Sequence, residues 1–112
     1  MKGGIPENRL EGSHFVINCS IIDYYQKLAT HALVDCGASG FSFIDNEFVR
    51  QHNCPLFKLS EPRRLDIIDG RPIDSGDITH ISKISLNIGG HTEYLSAFVT
   101  KLEYYPLVLG IP

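Results

Sequence analysis

The chain has 112 residues, 43% of them hydrophobic, with 13 acidic and 10 basic side chains and a formal net charge of −3. That is enough apolar material for one small domain with its own core, while the mild acidity and the lack of any Lys/Arg run exclude a basic nucleic-acid grip. No stretch approaches the roughly 18 continuous apolar residues of a membrane span, and Met1-Lys2-Gly3-Gly4 lacks the apolar core of a signal peptide. Cys19, Cys36 and Cys54 are odd in number and widely spaced, which fits a reduced intracellular setting better than a disulfide framework.

Residues 1–13 are polar and carry Gly3, Gly4, Pro6 and Gly12, so they read as a flexible lead-in to one domain over 14–112. Phe15, Ile17, Cys19 and Ile21 recur at every second position, which predicts a strand with one apolar face. Asp23 to Gln26 makes a turn and Lys27 to Val34 returns as a second strand. Asp45 is an N-cap for one or two helical turns over Glu47 to His52, which Cys54-Pro55 stops. So short a helix needs packing to stand. Pro55 to Arg64 reads as irregular chain with Leu56, Phe57 and Leu59 pinned to the core. Leu65 to Ile73 has the form of a hairpin, because Asp69-Gly70 is a tight-turn pair. Ile84, Leu86 and Ile88 alternate up to a second turn signal, Gly89-Gly90, and Thr92 to Thr100 comes back as a strand rich in β-formers. Glu103-Tyr104-Tyr105-Pro106 breaks the pattern before a last buried strand, Leu107-Val108-Leu109. Nearly every element is a short strand, so the predicted class is all-β with one short helix.

The chemistry concentrates between His31 and Gly40. Ala32, Leu33 and Val34 drive a strand into the interior, and Asp35 follows where the strand stops. Gly37 can adopt the positive φ of a tight turn, and Ala38, Ser39 and Gly40 are small enough for close backbone approach. Poor solvation of a carboxylate so placed disfavours its charged form, which prepares it for acid–base work near neutral pH.

Ala32-Leu33-Val34-Asp35-Cys36-Gly37-Ala38-Ser39 resembles the active-site loop of retropepsin-like aspartic proteases, the class encoded by retroviruses and Ty3/gypsy-type retrotransposons. Leu107-Val108-Leu109-Gly110-Ile111-Pro112 is similar to that family's closing apolar strand, its Gly and the helix start after it. The resemblance spans about Phe15 to Pro112. It implies a small closed, barrel-like β fold with a flap hairpin and an aspartic endopeptidase with Asp35 as catalytic residue. Cys36, Gly37, Ala38 and Ser39 would form the active-site loop. Ile68, Asp69 and Gly70 would be the flap residues that meet an extended polypeptide substrate as an added strand. Two carboxyls that share a proton are needed, and the chain supplies one, so the resemblance implies a homodimer with Asp35 from each copy. It further implies Gag–Pol processing by a retrotransposon protein, in the cytoplasm or a virus-like particle, with no cofactor, nucleic acid or membrane. The family continues through a helix beyond Gly110, of which this chain holds only the start.

Competing motifs are weaker. Asp74-Ser75-Gly76 copies the family's triplet, but Pro72-Ile73 is no apolar strand, Asp77 follows where small residues belong, and a polar turn explains it. Cys36 as a nucleophile would need a base, and His14, His31, His52, His80 and His91 form no recognisable arrangement around it. His52-Asn53-Cys54 is one close pair where a structural zinc site wants two. Tyr104-Tyr105 lacks the basic surroundings of a base-stacking site. Cys36 stands where the family has Ser or Thr and is a weaker hydrogen-bond donor. It thereby favours the rival reading, an inactive dimerisation or peptide-binding module of the same fold.

Overall fold

Val16 and Ile17, Ala32 and Leu33, Phe43 and Ile44, and Leu107 and Val108 are neighbours in sequence, and all eight are buried. Consecutive side chains of a strand point to opposite faces. These segments are therefore strands covered on both sides, which is why Ala32-Leu33 and Leu107-Val108 read as continuous apolar runs, while the alternation read from Phe15 to Ile21 hides the burial of Val16 on the opposite face and the exposure of Phe15. The computed structural model describes residues 9–11, 14–22, 26–35, 41–64, 67–68, 71–72 and 77–110.

In chain order the strands are β1 (Arg9–Glu11), β2 (His14–Ile22), β3 (Lys27–Asp35) and β4 (Phe43–Asp45), followed by helix α1 (Asn46–His52). Then come β5 (Leu56–Arg63), β6 (Ile67–Ile68), β7 (Arg71–Pro72), β8 (Ile78–Ile88), β9 (His91–Thr100) and β10 (Leu107–Gly110). Eight of them form one sheet in the order β1-β2-β3-β10-β4-β9-β8-β5. A further pairing of β2 with β8, through Ser20↔Asn87, Ile21↔Leu86 and Ile22↔Ser85, closes six strands into a barrel. The start of β2 pairs with β1 (Arg9↔Val16), so a strand arises inside the stretch read as lead-in.

Alternate residues divide the interior into two clusters. The larger holds Ile17, Cys19, Ile21, Ala32, Ile44, Ile84, Leu86, Ala97 and Leu107, with Val49 of α1 packed in. The second holds Val16, Leu33, Phe43, Ile78 and Val108, with Phe41, Phe98 and Leu102 against it. Asp45 caps α1 as expected: its Oδ2 accepts from the Phe48 N–H at 3.2 Å. The helix ends at Asn53 with φ 53°, the Cys54 N–H bonding back to the Val49 carbonyl at 3.0 Å. Gly89 and Gly90, at φ 57° and 87°, make the turn between β8 and β9 that their sequence announced.

One stretch corrects the sequence reading. Residues 55–64, expected to be irregular, contain the eight-residue strand β5. Leu56 and Phe57, expected in the core, are 53% and 44% exposed, and only Leu59 packs on a cluster. Among the described residues β5 is an edge strand that pairs with β8 alone, with a register shift between Lys58 and Arg63. Pro62 falls in that interval, and an edge position is where a strand accommodates a residue without an N–H. The exposed Phe57 ring is covered by the Lys83 ammonium, 4.7 Å from its centre.

Candidate active site

Asp35 is the last residue of β3, and the strand's apolar run fixes where its backbone goes. Ala32 and Leu33 have no solvent exposure. On one side β3 pairs antiparallel with β2, ending at Phe15↔Val34. On the other it runs parallel to β10, through Leu107↔Ala32, Val108↔Leu33, Leu109↔Val34 and Gly110↔Asp35. β10 is antiparallel to β4 on its far side, through Leu107↔Ile44 and Val108↔Phe43. The last strand of the described chain is thus wedged between two strands that lie close together in sequence, and Gly110 sits beside Asp35.

That wedge explains the glycine. A Cβ built on Gly110 would fall 2.1 Å from the Phe41 carbonyl oxygen and 2.8 Å from the Phe41 nitrogen. Phe41 comes six residues after Asp35, so the chain leaving β3 returns across the end of β10 in backbone-to-backbone contact. No side chain fits there.

A second tie holds the wedge from behind. The Asp45 carboxylate, beyond its capping bond, accepts from the Leu102 N–H through Oδ1 at 2.9 Å. The Asp45 N–H donates to the Pro106 carbonyl, also at 2.9 Å. Residues 101–106, which deliver the chain into β10, are thereby pinned to the junction of β4 and α1. His31 meets Tyr105 of that segment edge to face, with ring centres 6.1 Å apart.

The predicted hairpin is present. β6 and β7 pair antiparallel, Ile67↔Pro72 and Ile68↔Arg71, as a two-stranded sheet separate from the barrel. Its base is drawn together by the ladder pair Arg63↔Ile78 and by Arg64 Nη1 at 3.3 Å from Asp77 Oδ1. Both partners of that ion pair are exposed, so it contributes little.

The predicted site residues divide as follows. Asp35 lies at the end of β3 and Ile68 at the end of β6. Cys36, Gly37, Ala38, Ser39, Asp69 and Gly70 lie outside the described residues, as does the rejected Asp74. Sequence reasoning missed the second bond of Asp45, which joins residues 57 apart in the chain. It also missed Arg63, whose guanidinium carbon lies 5.3 Å from the ring centres of both Phe41 and Phe98. Neither contact has a local signal, because each partner comes from a distant element. Among the cysteines, burial pushes the Cys19 thiol from 9.0 up to about 11, which leaves it protonated and unreactive.

Comparison with known proteins agrees with this geometry. A retropepsin-like aspartic protease from Rickettsia conorii superposes with a TM-score of 0.57 at 18% sequence identity, over 93% of this chain and 72% of that one. At that identity the likeness speaks for the fold, which is retropepsin-like. The model of the PEG10/RTL1 protease domain matches residues 31–112, from the strand that carries Asp35 through the wedge strand β10. With the greater part of its length inside that match, the chain belongs to the PEG10/RTL1 protease domain family.

Proposed function

We propose that the chain is an aspartic endopeptidase that works as a homodimer, with one Asp35 from each copy. The observation that carries this reading is the wedge: two doubly buried strands deliver the Asp35 backbone beside Gly110, against which Phe41 is packed without intervening side chains. A rigid seat of this kind fixes the backbone from which a carboxylate would act. A two-fold axis near it would bring two copies together, one ionised to take a proton from water and one protonated to polarise the scissile carbonyl. The β6–β7 hairpin would cover an extended peptide, with Ile68, Asp69 and Gly70 meeting it, and Cys36, Gly37, Ala38 and Ser39 would shape the loop below. The substrate we propose is of the polyprotein type, a Gag–Pol precursor of a retrotransposon, on the resemblance of the Asp35 loop to that of the retrotransposon proteases.

Cys36 gives a second reading its footing. A thiol donates more weakly than the Ser or Thr hydroxyl at that place in the resembled loop, and a dimer so loosened would bind peptides or pair without cutting them. Peptide hydrolysis decides between the two. Asp35→Asn should abolish cleavage of a peptide library and keep the fold, while Asp74→Asn should leave cleavage nearly unchanged. Specific activity should rise with protein concentration in step with the sedimenting dimer. Loss of cleavage in Asp74→Asn alone, or full activity from a species that sediments as a monomer at every concentration, overturns the assignment. A folded, dimeric wild type that cleaves nothing selects the second reading.

A further inference from the structure

We propose that Arg63 is a specificity determinant that selects peptides with Asp or Glu near the cleaved bond. The inference rests on the peptidase reading above and deepens it. Phe41 and Phe98 meet edge to face with centres 5.4 Å apart, and the Arg63 guanidinium carbon is 5.3 Å from each. The cation therefore rests in the notch of an aromatic pair, near the apex of an almost equilateral triangle. Both rings pack against the second core cluster, so the notch is a fixed feature.

Arg63 itself is exposed. Among the described residues it takes part in no ion pair, whereas its neighbour Arg64 bonds Asp77. Ring faces attract a guanidinium but accept no conventional hydrogen bond from it. As far as the described residues go, the planar fork of N–H donors is thus held by the protein and left for another partner. A carboxylate matches that fork with two parallel bonds. The side chain is already confined by the rings, so less rotamer freedom is lost when the partner arrives.

Its position makes that partner a substrate. Below Arg63, the Phe41 backbone abuts Gly110, the ladder partner of Asp35. Beside it, Arg63 pairs with Ile78 at the base of the excursion that carries the β6–β7 hairpin. Arg63 thus joins the two elements between which the extended peptide would lie.

The test uses a random decapeptide library, with cut positions read by mass spectrometry. The wild type enriches Asp and Glu at one fixed position relative to the cut by about three- to ten-fold, as expected for a forked charge pair that is partly exposed. The enrichment falls between about 0.05 and 0.5 M salt. Arg63→Gln removes it, Arg63→Lys keeps part of it, and Arg64→Gln keeps all of it. A parallel arm captures the same library on immobilised Asp35→Asn protein, with and without Arg63→Gln, so binding is read where nothing is cut. Thermal melting of each variant reports its fold. If the wild type cuts no peptide, the peptidase reading falls, and the capture arm still decides whether Arg63 selects acidic peptides. The same acidic profile with and without Arg63→Gln, or no acidic enrichment in either arm, overturns the proposal.

Discussion

The wedge of β3, β10 and β4 and the outer hairpin of β8 and β9 with its edge strand β5 are built from similar residues under opposite constraints. In the wedge, consecutive residues are buried on both faces, and at Gly110 even one carbon more has no room. At the far end of the hairpin, Tyr94 is 87% exposed and residues His91 to Glu93 are exposed beside it. The same strand β9 becomes buried at Ala97 and Thr100 as it approaches the wedge. Burial is complete at Ala32-Leu33 and Leu107-Val108 and eases at Val34 and at Leu109-Gly110, beside Asp35. The lesson is that the fold anchors the strands just before Asp35 and leaves the far end of the hairpin open.

The most severe way to break the contrast is to fill the crossing. Gly110→Ala puts a methyl group into the Phe41 backbone, which cannot rotate away as a side chain would. Overpacking costs about 1–3 kcal/mol and more where rigid backbone has to shift, so thermal denaturation should show a large fall in Tm or no folded protein. A variant that melts like the wild type would mean that Phe41 and Gly110 are not in contact. Next in size is truncation of the wedge. Leu33→Ala or Leu107→Ala removes a fully buried side chain, at roughly 2–5 kcal/mol by urea unfolding. Tyr94→Ser on the hairpin should stay within about 0.5 kcal/mol. Equal losses at Leu33 and Tyr94 would erase the distinction.

Asp45 sharpens the comparison at intermediate cost. Asp45→Ala loses both the cap on α1 and the bond to the Leu102 N–H, together about 1–3 kcal/mol. Asp45→Asn keeps one acceptor oxygen, so it can hold one of the two N–H groups but not both, and should lose less. Hydrogen exchange should show the Leu102 amide deprotected in Asp45→Ala. The last effect is a loss of stability that depends on pH and vanishes at neutrality. The buried Cys19 thiol titrates at about 11 in the folded protein against an ordinary 9.0. The unfolded chain therefore loses this proton first as pH rises. The stabilisation is fully present below about pH 9 and fades between 9 and 11. Cys19→Val should flatten that part of the stability curve relative to wild type, whatever other groups titrate alongside. Identical alkaline limbs would show that the thiol ionises as freely folded as unfolded.

Much of this was legible in local residue order. The alternation from Phe15 to Ile21 determined β2, Gly89-Gly90 determined the turn after β8, Asp45 determined the start of α1, and the doubled apolar runs at Ala32-Leu33 and Leu107-Val108 determined the inner strands. Each is a short-range effect: side-chain direction alternates, glycine tolerates positive φ, and a carboxylate caps a neighbouring N–H. β5 escaped because an edge strand buries one side at most, so Leu56 and Phe57 carry no reliable inward signal, and Pro62 reads as a breaker unless the edge is known. Only the tertiary structure decided that β10 slots between β3 and β4, that β2 and β8 close the barrel, and that Phe41 leaves no space over Gly110. It also decided that Asp45 reaches Leu102 and that Arg63 settles on two phenylalanines. Those pairings join residues far apart in the chain. Their stability comes from packing and hydrogen bonds that exist only once the strands are side by side, so no window of the sequence contains them.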